Sequence, residues 1–281
     1  MVKNMRLCFN GATTMPYPLE TDVEIAAKAG FEGLEIWIGK LEKYLEIKTE
    51  GDLIELIGMH GIKIASMCPI LDFMFKTEKE FTKILARVER LMKVAQRINC
   101  PCIVVCPSQL VKQNREKSID EAVTALRKFG NLGREYGVSV ALEFLSHTNF
   151  INNIRKAIEL IKRTNHEYVG LAVDSFHWYK AGDTLETLRE IPSRKLHIVH
   201  INDSEALPRQ QLTDENRLLP GKGVIDLKGF INTLKHKGYE GYVSVELFRR
   251  ELWKENPLKV ARMSKKTLET LLKEIKLNDE S

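Results

Sequence analysis

Two rhythms alternate along the chain. Short apolar or β-branched runs are each followed by a longer stretch with the apolar spacing of an amphipathic helix. The short runs predict strands at Arg6–Asn10, Gly33–Ile38, Lys63–Cys68, Cys102–Cys106, Ser139–Leu145, Gly170–Ser175, Leu196–Asn202 and Tyr242–Phe248. The longer stretches predict helices at Leu19–Ala29, Asp52–His60, Glu78–Ile98, Ile119–Tyr136, Asn153–Thr164, Leu185–Glu190, Leu227–Lys237 and Pro257–Lys276. Gly30, Gly61, Gly137 and Gly238 each close a helical stretch ahead of a strand, the usual place for a left-handed helix stop. Asn99 stands at the matching joint before the fourth strand. Strands that alternate with helices, with no tight hairpin between them, make a parallel sheet with crossover helices. Eight such units in roughly 250 residues predict a closed (β/α)8 TIM barrel. An open doubly wound sheet would carry a glycine-rich phosphate loop after an early strand, and FNGATTMPYP is not one. With no Pro/Ser-rich linker or low-complexity run, residues 1–281 are expected to form a single domain.

Charge and composition narrow the function classes. Lys and Arg total 43 against 38 Asp and Glu, a net charge of +5 spread along the chain, so nucleic-acid binding by bulk charge is not expected. No stretch approaches the ~18 apolar residues of a membrane span. The opening MVKNMRLCFNGATT lacks the apolar run and cleavage site of a secretory signal. Five cysteines, all in or beside apolar segments, do not make a disulfide framework, and a reducing cytoplasm is the expected location. The long segment from Asp203 to Gly223 reads as an irregular insertion that leaves the C-terminal end of the seventh strand, the active-site face of such barrels. A loop of that length is expected to be a lid or a substrate wall.

Four consecutive strands carry a polar residue of metal-ligand type near that same end. The fifth, VALEFL, places Glu143; the sixth, GLAVDSFH, Asp174; the seventh, LHIVHIND, His200; and the eighth, YVSVELF, Glu246. A carboxylate inside an apolar strand costs several kcal/mol to bury unless it is paired or metal-bound. Three carboxylates and one imidazole suit one divalent ion such as Zn2+, Mn2+, Co2+ or Mg2+; the competing reading is a buried polar network without metal.

Further residues are expected around the same mouth. His177 follows Asp174 by three positions, where it could touch a metal-bound ligand or be a surface-loop histidine. Arg217 on the long loop could clamp an oxyanion or hydroxyl, though a lone loop arginine reads first as a solvated charge. Glu35 at the end of the second strand and His147 after the fifth face the mouth by topology, with a supporting or plain structural role the competing reading. Trp37, Trp178 and Phe248 are candidates for apolar walls and equally fit core packing. Cys100, Cys102 and Cys106 resemble a metal cluster, but alternation puts Cys102, Val104 and Cys106 on one face, as in a packed core. The stripe Lys83, Arg87, Arg90 and Arg97 is interleaved with Glu80 and Glu89 and reads as a solvated helix face. His60, His166 and His236 are expected at the surface.

A divalent ion flanked by two glutamates suits proton movement next to a carbonyl. The metal polarises a ketone and stabilises the enediolate, while carboxylates take and return the proton. Isomerisation, epimerisation, dehydration and metal-assisted hydrolysis all remain open on spacing alone.

The strand-five Glu, the D-x-x-H of strand six, the H-I-x-D of strand seven, the loop PGKGVID and the strand-eight Glu together resemble the xylose-isomerase-like TIM-barrel superfamily over essentially the whole chain. The segments LCFNGATT, VALEFLSH, DSFHW, LTDENRLLPGKGVIDL and VSVELFRRELWK are similar to the inosose isomerases of inositol catabolism. That resemblance implies a cytoplasmic isomerase that interconverts 2-keto-myo-inositol and 1-keto-D-chiro-inositol with one divalent metal ion. It implies Glu143, Asp174, His200 and Glu246 as metal ligands, Glu143 and Glu246 as the proton-shuttling pair, and His177 and Arg217 as binders of substrate oxygens. The partner expected is a small cyclitol or keto-sugar, with a homo-oligomer an open possibility for barrels of this group. Ketose 3-epimerases carry a further glutamate six residues past the strand-five ligand, where this chain has Asn149, which speaks against a direct epimerase. Strands three and four end in SMCPI and VVCPS, without the extra ligands of the three-zinc endonuclease IV branch. A ketose 3-epimerase or inosose-type dehydratase on the same barrel, and a sugar-binding barrel with a structural metal, are the alternatives.

Overall fold

Every strand of the central sheet runs parallel to both neighbours, and the sheet closes on itself. The computed structural model describes residues 5–110 and 115–279. Its barrel strands are β1 (Arg6–Asn10), β2 (Gly33–Trp37), β3 (Lys63–Ile70), β4 (Cys102–Val105), β5 (Ser139–Glu143), β6 (Val169–Asp174), β7 (Leu196–Ile201) and β8 (Tyr242–Val245). Each pairs with the strand before and after it in sequence, and β1 pairs with β8 through Arg6↔Tyr242 to Phe9↔Val245, so the two ends of the chain seal the ring. This is the expected (β/α)8 barrel.

The outer layer contains α1 (Leu19–Ala29), α2 (Ile38–Leu45), α3 (Glu50–His60), α4 (Glu78–Arg97), α5 (Arg115–Tyr136) and α6 (Ile154–Thr164). It continues with α7 (Ser175–Ala181), α8 (Leu185–Arg189), α9 (Leu227–His236), α10 (Arg250–Trp253) and α11 (Pro257–Asp279). The joints behave as the punctuation predicts: Gly30, Gly61, Gly137 and Gly238 lie at φ between 62 and 81°, and Asn99 at 54°. That left-handed conformation turns the chain from helix to strand, at little cost for glycine. Among the described residues no helix is long and apolar enough to cross a membrane. The reading of the N-terminus rests partly on residues 1–4, which lie outside the described residues.

Apolar burial comes in two layers. Outward-facing strand residues such as Ile103, Val105, Val140 and Leu142 pack under the helices. Inside the ring, Cys8, Ala65, Cys68, Cys102, Val104, Cys106, Ala141, Ala172, Ile198 and Tyr242 form a second cluster. Cys102, Val104 and Cys106 therefore share one face, and all five cysteines are free and buried. The predicted basic stripe lies on α4, where Arg87 and Arg97 pair with Glu42 and Glu50 at the surface.

Several expectations need correction. α2 and α7 begin on the residue after β2 and β6, with no loop to announce them. The long segment after β7 is not irregular throughout: Asp203–Ser204 pairs antiparallel with Arg217–Leu218, which folds Arg217 back over the barrel. His166 is buried rather than exposed; its ring fills the space over Gly130 and meets Asn131 Oδ1 at 3.2 Å.

Candidate active site

The four ligand-type residues meet at the C-terminal rim of β5 to β8. Glu143 and Asp174 are the last residues of β5 and β6, His200 is next to last in β7, and Glu246 follows β8 directly. Register sets Asp174 directly opposite His200, while Glu143 pairs with Ala172 and His200 with Ser244, each two residues short of the next member of the cluster. Their side chains each offer one ligand atom, all within 4.8 Å of one another, and all four residues are buried. Three carboxylates and one imidazole nitrogen at that spacing fit a single hard or borderline divalent cation. Glu35, Cys68 and His200 also converge within 4.8 Å, one layer deeper.

Each of the four is held by neighbours, some expected from the sequence and some not. Asp174 Oδ1 caps α7, accepting the N–H groups of Phe176 (2.6 Å) and His177 (2.9 Å). Its Oδ2 accepts from Arg217 Nη1 at 2.5 Å and from Asn202 Nδ2 at 3.0 Å. Burial opposes its charge, but Arg217, His177 and His200 outweigh it and hold the carboxyl well below the usual range. Glu246 Oε1 accepts from Asn10 Nδ2 (3.1 Å) and Oε2 from Arg217 Nη1 (3.2 Å). Burial pushes Glu246 well above the usual range, with Glu143 and Asp174 adding to it against His200 and Arg217. His200 loses charge to burial but gains more from Glu35, Glu246 and Glu143, so its pKa is raised. Cys106 Sγ lies 3.5 Å from Glu143 Oε2 and Cys68 Sγ 4.0 Å from Glu246 Oε1, so the thiols of the barrel interior floor the carboxylate cluster.

Above the cluster sits Arg217, only 1% exposed although it comes from the long loop. Its guanidinium lies 4.9 Å from the Phe176 ring and 5.1 Å from that of Phe248. Asp214, three residues back, accepts from its Nε (3.0 Å) and Nη2 (2.8 Å). His177 meets Arg217 Nη2 through Nε2 (3.3 Å) and Ser146 Oγ through Nδ1 (2.9 Å). Beside them opens a recess of about 250 Å³ lined by His147, Phe176, Lys180, Leu212, Thr213 and Asp214.

The structure thus brings His177, Arg217, His147 and Phe248 to the mouth together with the four ligand-type residues. It does not bring Trp178 or Glu35 there. Adjacent residues on a helix point about 100° apart, so with His177 facing inward Trp178 faces outward. It packs on Phe230 at 5.3 Å and donates to Thr184 O. Glu35 stands mid-strand because β2 continues to Trp37, and it is fully buried beneath His200. Trp37 packs edge-on against Phe248. Asn149 is spent on the Leu110 backbone, accepting its N–H at 2.6 Å and donating to its carbonyl at 3.1 Å. Asn10, Ser146, Phe176, Asn202 and Asp214 are among the site residues that sequence reasoning missed. The i, i+3 spacing of Asp214 and Arg217 was the one local signal available.

Comparison with known proteins agrees with this geometry. The chain is 34% identical over 270 residues to the inosose isomerase of Bacillus subtilis, covering 94% of this chain and 96% of that protein. It is 33% identical over 275 residues to the inosose isomerase of Bacillus velezensis, covering 95% and 97%. The 1.8 Å crystal structure of IOLI protein with a bound zinc atom superposes with a TM-score of 0.91 at 33% identity, covering 96% of this chain and 99% of that one. The xylose isomerase-like TIM barrel model matches residues 23–271. A match of that extent, on a closed eight-stranded barrel with its polar cluster at the rim, places the chain in the xylose isomerase-like TIM barrel family.

Proposed function

We propose that the protein is a divalent-metal-dependent isomerase of a polyhydroxy ketone, with 2-keto-myo-inositol and 1-keto-D-chiro-inositol as its substrate pair. The observation that carries this reading is the convergence of Glu143, Asp174, His200 and Glu246 beneath a buried arginine at the barrel rim. Zinc in the structurally similar IOLI protein supports the same class of metal here. When bound by these four residues, the ion supplies Lewis-acid polarisation of a ketone and its neighbouring hydroxyl.

The chain's own residues do the rest. Glu143 and Glu246 approach the cluster from β5 and from the end of β8, so one takes the proton from the carbon beside the carbonyl and the same or the other returns it at the second carbon. Arg217, held rigid by Asp214, and His177, held by Ser146, bind substrate hydroxyls. Phe176, Phe248 and the recess beside His147 give a ring substrate an apolar wall and space. Asn149, tied to the Leu110 backbone, makes no epimerase-type contact. On this reading residues 1–281 act as one barrel domain on a small molecule, and five free, buried thiols favour a reducing cytoplasm.

The test is NMR of the metal-loaded protein with 2-keto-myo-inositol in D2O. A new keto-inositol with deuterium next to its carbonyl is the expected product. Loss of water from the substrate would instead identify a dehydratase. Neither exchange nor product, with metal bound, would reject inosose.

A further inference from the structure

We propose that Glu35 is the positioning residue that dictates which nitrogen of His200 is offered to the metal, an inference that rests on the metal-centre reading above. His200 stands between two sets of acceptors. Its Nε2 lies 3.1 Å from Glu35 Oε1, while its Nδ1 faces Glu143 Oε1 at 3.0 Å, Glu246 Oε2 at 3.4 Å and Asp174 Oδ2 at 4.0 Å. A neutral imidazole carries one N–H, and an ionised carboxylate can only accept. If the proton went to Nδ1, drawn by the carboxylates there, the lone pair would point down at Glu35 and away from the other three ligands. Glu35 draws the proton to Nε2 and leaves the Nδ1 lone pair on the side where Glu143, Asp174 and Glu246 converge.

The placement of Glu35 is itself fixed. Its other oxygen, Oε2, accepts from Asn10 Nδ2 at 2.8 Å. The same amide nitrogen donates to Glu246 Oε1 at 3.1 Å, and Asn10 Oδ1 is occupied by the N–H of Ala12 at 2.8 Å. Both hydrogens of the Asn10 amide are therefore committed, one to Glu35 and one to Glu246. A single residue at the end of β1 aligns two supports at once: it anchors the carboxylate beneath His200, and it turns Glu246 so that Oε2 is the oxygen beside Nδ1. Asn10, Glu35 and His200 are all fully buried, so these bonds are shielded from bulk solvent. Neither Glu35 nor Asn10 reaches the mouth, and both act only through the ligands they hold.

The experiment has two arms. In the first, divalent-metal affinity of Glu35→Gln is measured against wild type by chelator competition with Zn2+, after circular dichroism shows the variant folded. Gln keeps the shape but removes the charge, and the expected loss is about 10- to 100-fold in affinity, with Glu35→Asp recovering part of it. In the second, 15N-labelled histidine in the wild-type protein with one equivalent of Zn2+ is observed by NMR. His200 should show a protonated Nε2 and a coordinated Nδ1.

A folded Glu35→Gln that binds Zn2+ within twofold of wild type would overturn the proposal, as would coordination through Nε2. Two zinc ions per chain with both His200 nitrogens coordinated would also overturn it, and would identify Glu35, Cys68 and His200 as a second centre. The wild-type arm decides the matter if the variant does not fold. A wild type that takes up no divalent ion would instead sink the metal-centre reading itself.

Discussion

Replacing Arg217 with Met separates the two sources of positive charge in the site. Met keeps an apolar stem between the rings of Phe176 and Phe248 but deletes the guanidinium. The pair with Asp214 counts for little, because that carboxylate is 42% exposed and water resolvates it. The weight lies on Asp174 and Glu246, whose side chains are 0% and 4% exposed and lose a partner at 2.5 and 3.2 Å. Breaking a buried ion pair by removing one member costs about 3–5 kcal/mol. In urea unfolding at pH 7 with chelator present, Arg217→Met should therefore lose about that much. A divalent ion that binds only the folded chain stabilises it by RT ln(1 + [L]/Kd), about 2.7 kcal/mol at a hundredfold excess over Kd. Without Arg217 the carboxylates should bind the ion more tightly, so the metal-induced gain should exceed that of wild type by more than about 1 kcal/mol. An apo loss below about 1 kcal/mol, or equal metal gains in the two proteins, would refute this account of Arg217 as the counter-charge of the cluster.

Other outcomes follow from the same geometry. Glu246→Gln should fold and lose about 10²- to 10⁴-fold in turnover, the usual contribution of a general acid or base; near-normal deuterium exchange would remove Glu246 from proton transfer. His197, which burial and Lys195 push from 6.5 down to about 4, takes up its proton in that window only when the chain unfolds. The neutral histidine thus contributes stability fully above pH 6.5 that is lost as pH falls toward 4, at most about 3 kcal/mol. Wild type should lose more than His197→Asn when urea unfolding is compared at pH 7 and pH 5, and parallel losses would contradict the shift. Gly170→Ala should destabilise by about 1–3 kcal/mol or more, because the added Cβ would sit 2.4 Å from both the Lys195 carbonyl oxygen and His197 Nε2. Thermal unfolding measures it, and an unchanged midpoint would show that β6 and β7 can part there.

The barrel was legible because parallel strands buried on both faces read as apolar runs, and a charge inside such a run is conspicuous. Glu143, Asp174, His200 and Glu246 stood out for that reason. Strand ends were less legible: apolar residues continue past β5 to Leu145 and past β8 to Leu247, serving the core after pairing has stopped. GLEIWIGKLEKYL passes from β2 to α2 without a break, which hid the helix start and made Glu35 look terminal. Asn10 and Asn202 are neutral and common at strand ends. Little in their own neighbourhoods ties them to the site, because the carboxylates they hold are more than twenty residues away. Trp178 was misplaced by proximity to His177, since a one-residue step on a helix changes the face.

The seam between β1 and β8 also bears on how the protein is made. Asn10 belongs to the first strand and Glu246 follows the last, 236 positions later, yet one amide hydrogen joins them. A nascent chain on the ribosome can display Glu143, Asp174 and His200 well before the partner from the final strand emerges. The complete ligand set comes into being only when the ring shuts. On the proposed metal-centre reading, a chain truncated before Tyr242 would lack both the seal and Glu246, the fourth member of the cluster, and the full cluster could bind an ion only late in biogenesis.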